Sequence, residues 1–93
     1  MKYKVTFTLT ANRSPVSSHY RPNWISDSKP EQNCAQLLFT DKPSISYGES
    51  RDCILEPFAK QLWNNVKIGD VLKCMEGLTE VGEAIILEIL DES

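Results

Sequence analysis

His19 is the single histidine of this 93-residue chain, and Cys34, Cys53 and Cys74 are its three thiols. Zinc needs several Cys or His ligands at close spacing. No such spacing occurs here, so neither a metal nor any other cofactor is expected. A Cys–His nucleophile pair would require His19 to meet a distant thiol in space; an exposed loop histidine is the simpler reading. None of the four glycines is followed by Lys-Ser or Lys-Thr, so a phosphate loop is missing and no nucleotide binding is expected. What remains is the chemistry of contact. Arg21, between Tyr20 and Pro22, can grip a phosphate or carboxylate with both arms of its guanidinium, or it can brace its own long loop. Trp24 and Trp63 are natural interface anchors if exposed, and core residues if not.

The elements that must position these residues are mostly strands. From Lys2 to Thr10 the chain alternates strictly, with Tyr3, Val5, Phe7 and Leu9 on one face and Lys and Thr on the other. This is the period of a half-buried strand. Residues 11–33 read as loop, punctuated by Pro15, Pro22 and Pro30, with one short extended piece at 23–25. Strands are expected at 34–40, 44–47, 51–55, 70–75 and 81–90, with turns at 48–50 and 77–79. The last strand is apolar on both faces (Ala84, Ile86 and Leu90; Ile85, Leu87 and Ile89), which predicts a central, doubly covered position. Glu80, Glu83 and Glu88 beside it read as charged gatekeepers of a sheet edge, and Asp91 and Glu92 as a solvated tail. Residues 57–65 break the pattern. Pro57 suits a first helical position, and Phe58 with Leu62, and Ala59 with Trp63, lie four apart. A short helical insertion is predicted there. The fold class is therefore all-β, a small six-stranded Greek-key-like barrel forming one domain over residues 1–93.

Composition narrows the partner. The net charge is −3, and the ten Lys and Arg residues are scattered without a basic run. A nucleic-acid binder usually displays a basic face, so RNA is the less favoured ligand. The chain begins Met-Lys-Tyr-Lys without the apolar core of a signal peptide, and no stretch is long and apolar enough for a membrane helix. Three widely spaced cysteines do not form a disulfide framework. A cytoplasmic protein with reduced thiols and no membrane association is expected.

Several motifs occur in a familiar order. Ser14-Pro15 is followed by Tyr20-Arg21-Pro22-Asn23-Trp24. Tyr47-Gly48-Glu49-Ser50 comes next, then the run Gly69 to Gly77 (GDVLKCMEG), then Val81-Gly82 and an aliphatic strand. From about residue 2 to residue 90 this order resembles the C-terminal, third β-barrel of elongation factor Tu. The resemblance implies the barrel, and a place beside the bacterial translation machinery. It also implies that Glu76-Gly77 lies where the family barrel meets the transfer RNA arm. A hairpin turn with a solvated acid explains the same pair, and is preferred. The family's GTP-binding domain and second barrel have no counterpart in these residues, which favours the bracing role for Arg21. Met75-Glu76-Gly77-Leu78-Thr79 lacks two arginines of the family run, and residues 57–69 are longer than the family connection.

The resulting expectation is a non-catalytic binding module that engages a protein partner related to a translation factor or GTPase domain. Tyr20, Arg21, Trp24, Phe58 and Trp63 are its candidate contact residues. An RNA-binding module using Arg21, Glu76 and Gly77 is the alternative, and an enzyme a distant third. The inserted segment either plugs its own barrel or stands out to meet the partner. The second is preferred, because the family barrel closes without it.

Overall fold

Alternation in the first strand becomes a barrel wall. In the computed structural model, which describes residues 1–90, β1 spans Lys2–Leu9, and Tyr3, Val5, Phe7 and Leu9 are all fully buried. It pairs antiparallel with β6 (Ser50–Pro57) on one side and with β8 (Thr79–Leu90) on the other. The remaining barrel strands are β3 (Asn23–Ser26), β4 (Lys29–Leu38) and β7 (Val71–Glu76). The order β1-β6-β4-β3-β7-β8 closes on itself. A separate two-stranded ribbon pairs β2 (Val16–Ser17) with β5 (Ser44–Ile45), and buries Val16 and Ile45 against the same core.

Three expectations change in detail. Residues 11–33 are not simply loop, since they hold β2, β3 and the first five residues of β4. The stretch Lys29–Asn33 shows no apolar alternation because it is paired with β3 but runs past the end of β6, whose partnership with β4 starts at Ala35↔Pro57. Pro30 is tolerated there because one side of the strand has no ladder donor to supply. The 44–47 strand shortens to Ser44–Ile45. The helical piece near 57–65 is a single 3-10 turn, Lys60–Trp63, without a side-chain cap.

The last strand departs more. β8 is central in the closed barrel, so its glutamates guard no sheet edge. Its inner residues Ala84 and Ile86 are buried, but Ile85 and Leu87 on the outside are not covered. Pairing with β1 steps from Val5↔Ile86 to Lys4↔Glu88, so Leu87 is an extra residue in a bulge. Beyond it the alternation is reset, and Ile89 comes opposite Tyr3. Gly82 sits where a Cβ would lie 2.7 Å from the Thr8 carbonyl oxygen and 2.9 Å from the Phe7 ring. Only glycine lets β8 approach β1 that closely. Asp91 and Glu92 lie outside the described residues.

Candidate functional site

Two of the expected contact residues belong to the interior. Trp24 is fully buried, donates from Nε1 to the Ala35 carbonyl at 3.0 Å, and meets Phe7 edge-on with ring centroids 6.0 Å apart. Its place in β3, whose next-but-one residue Ser26 is also buried, dictates this inward direction. Trp63 is 1% exposed and lies 6.0 Å from the Tyr3 ring. The inserted segment is therefore a plug at Trp63, not the outward anchor expected for it. The 3-10 turn swings this side chain into the barrel mouth while leaving Phe58 (51% exposed) and Leu62 outside.

The plug rests on a residue that the sequence did not mark. Lys29 is 4% exposed, with its Nζ 4.7 Å from the centre of the Trp63 ring. The ammonium donates to the carbonyls of Trp24 at 2.9 Å and Glu31 at 2.6 Å. Desolvation lowers its pKa to about 8, partly offset by the Glu31 charge. Two carbonyls and a π-face leave this lysine satisfied, which is what a buried cation requires.

Tyr20, Arg21, Glu76 and Gly77 separate into a brace and a free group. The Tyr20 hydroxyl donates to Glu76 Oε2 at 2.8 Å, and Arg13 Nη1 donates to both of them. The Arg13 guanidinium also lies 5.4 Å from the Tyr20 ring centre, and its Nε donates to the Ser14 carbonyl. Loop 11–22 is thereby tied to the end of β7. The arginine that braces the loop is Arg13, not Arg21. Burial, then the nearby Cys74 and Glu76, push the Tyr20 phenol far above its ordinary pKa, so it remains a donor. Glu76 is thus an acid held in place, and Gly77, at φ 63°, makes the hairpin turn while its carbonyl accepts from Gln32 Nε2 at 3.1 Å. Arg21 is exposed and enters no side-chain hydrogen bond or ion pair among the described residues. Its carbonyl accepts from Cys34 Sγ, and the Cys34 carbonyl accepts from the Phe58 amide. The backbones of Arg21 and Phe58 therefore both contact the half-buried Cys34.

Among the described residues His19 makes no hydrogen bond to any of the three thiols. Burial pushes the Cys53 and Cys74 thiols up to about 12, which suppresses the thiolate. His19 adopts φ 73° on the surface and pairs with Gln36 at 3.4 Å. Among the described residues no three His, Cys, Asp or Glu side chains gather as a metal site, and no helix is long and apolar enough to cross a membrane.

One surface stands out by its chemistry. On the outer wall Ile85 pairs with Val71, and Val71 lines a shallow depression of about 480 Å³ together with Ile25, Ser26, Asp27, Pro30 and Lys73. Val71 is 46% and Ile85 39% exposed. Gly69 and Asp70 hydrogen-bond the backbone of Ile86, next to the bulged Leu87, and exposed Ile68 directly precedes them in the chain. Ile25, Val71 and Ile85, continued by Leu87 and Ile68, thus form an apolar band across three neighbouring strands. The sequence signal for it was the second apolar face of 81–90, there assigned to a covering element. Compared with known proteins, the chain matches no family model, and no curated protein matches it.

Proposed function

We propose that the chain is a non-catalytic protein-binding module that docks its partner on the outer face of β3, β7 and β8. The observation that carries this reading is the uncovered band of Ile25, Val71, Ile85, Leu87 and Ile68. Its exposed side chains amount to roughly 400 Å² of apolar surface, within the range of the largest patch on a soluble monomer, which is often functional. The resemblance of the Tyr20-Arg21-Pro22 and Gly69–Gly77 segments to the third barrel of elongation factor Tu favours a partner from the translation machinery, including a GTPase domain. Three free thiols fit a reducing cytoplasm. Exposed Arg21 and Phe58, whose backbones both contact Cys34, offer a secondary contact.

RNA is the competing ligand, and exposed Arg21 is the observation in its favour. The test is recovery of bound material from cell extract, with and without ribonuclease, by the wild type and by the double variant Val71→Asp/Ile85→Asp. Both substitutions lie on the outer wall, and circular dichroism checks that the barrel persists. The expected result is a protein retained despite ribonuclease and reduced about 10-fold or more by the variant, as for loss of central interface residues. Equal retention by both proteins, or material removed by ribonuclease, refutes the proposal.

A further inference from the structure

The apolar band has a rim in which carboxylates outnumber cations, with Asp27, Asp70, Glu83 and Glu88 set against Lys67, Lys73 and Lys4. Asp27 is exposed at the depression itself. Asp70 lines the adjoining hollow with Ser28 and Gly69. Its Oδ2 accepts from Ser28 Oγ at 2.7 Å and from the Lys67 amide at 2.9 Å, so the carboxylate is fixed in orientation. The same bonds depress its pKa, Lys67 first. Glu83 stands across from Lys73, two pairs along from Ile85↔Val71 and on the same outer face. Lys73, the one cation lining the depression among the described residues, is already 3.9 Å from Glu80. On the far side Glu88 faces Lys4 across the strands. Asp27, Asp70 and Glu83 enter no salt bridge among the described residues.

We infer that the occupant of this face is a basic amphipathic peptide segment, with apolar side chains on Ile25, Val71 and Ile85 and Lys or Arg beside Asp27, Asp70 and Glu83. The inference rests on the docking reading above and adds the partner's chemistry. A depression of about 480 Å³ has room for one or two large aliphatic side chains. Carboxylates around an apolar centre favour a cationic partner and disfavour an acidic one, because like charges brought together at an interface are penalised. The same rim repels the phosphates of RNA. It also disfavours a second copy of this chain, whose own copy of the face carries the same acids.

The experiment uses the whole chain and two labelled 18-residue amphipathic peptides read by fluorescence anisotropy. One has leucines at helical spacing with lysines elsewhere, and the other has the same leucines with glutamates. Variants are Val71→Ser, Asp27→Lys and, away from the face, Asp52→Lys. The expected result is at least 10-fold tighter binding of the lysine peptide. Val71→Ser and Asp27→Lys should each weaken it about 5-fold or more, and Asp52→Lys less than 2-fold. If the two peptides bind equally and Val71→Ser weakens both, the docking face stands and the basic partner is overturned. If neither responds to Val71→Ser, the docking face falls too. A weakening by Asp52→Lys equal to that by Asp27→Lys shows attraction to net charge alone and overturns the inference. So does sedimentation showing a dimer that Val71→Ser dissociates.

Discussion

Removing the indole of Trp63 tests the plug directly. Trp63→Ala deletes a side chain that is 1% exposed and touches Tyr3 on one side and Lys29 on the other. Emptying such a site costs about 3–5 kcal/mol. Loss of the ring also takes from Lys29 a cation–π contact worth about 0.5–2 kcal/mol. One term opposes these: Nε1 of Trp63 is buried without a hydrogen-bond partner among the described residues, and relief of that burden returns about 1–3 kcal/mol. The net expectation is a loss of about 3 kcal/mol. In a chain of this length each kcal/mol lowers Tm by about 4–8 °C, so a fall of more than about 12 °C should follow. Trp63→Phe separates the terms. It keeps an aromatic ring on Tyr3 and Lys29 and removes the orphaned donor, so it should cost less than about 1.5 kcal/mol. Urea unfolding followed by far-ultraviolet dichroism measures both. A loss below about 1 kcal/mol for Trp63→Ala, or equal losses for the two variants, would refute the plug.

Stability should depend on alkaline pH in two opposed steps. The folded pKa of Lys29, about 8, lies below its ordinary 10.5, so the unfolded chain binds more protons above pH 8 and stability rises there. The Cys53 and Cys74 pKa values, raised from 9.0 to about 12, make the folded chain hold more protons above pH 9, where stability then falls. Melts across pH 7–11 should pass through a maximum near pH 8–9, and Lys29→Met should remove the rising limb; a monotonic profile in the wild type would contradict both assignments. Gly82→Ala should destabilise by about 1–3 kcal/mol, since its Cβ has no room against Thr8 and Phe7, and an unchanged denaturation midpoint would disprove the close approach. Arg13→Ala should cost about 1 kcal/mol, modest because the ion pair with Glu76 is partly exposed, whereas Arg21→Ala should stay within about 0.5 kcal/mol. Reversal of that order in a chemical melt would return the brace to Arg21.

The strict alternation of β1 was readable because its burial is one-sided and uninterrupted, and the turn at Gly48, with φ 85°, followed from residue types alone. The early half of β4 was not readable, since a strand paired mainly on one side keeps no period-two signal. Arg13 was missed because its partner Glu76 lies 63 residues away, a distance that local pattern does not span. Lys29 was missed for a different reason: lysine is rarely buried, so nothing in the segment Ser26–Pro30 distinguishes a core lysine from a loop one. The outer apolar face of β8 was visible as residues but misread as covered. Periodicity reports that a face is apolar, and only the arrangement of neighbours decides whether anything lies on it.

The β1–β8 seam also sets the timing of folding. Lys2 pairs with Leu90, and every rung down to Leu9↔Gly82 joins residues more than 70 apart. During synthesis β1 emerges before every other barrel strand and must wait for β8, the last of them, before its second neighbour exists. Contacts of such long sequence separation are slow to form, because the intervening chain must be ordered before they stabilise it. Until then one flank of the most apolar early strand is open to wrong partners, a state in which nascent β-proteins aggregate. The alternating Lys and Thr residues on its other face are suited to keeping that waiting strand in solution.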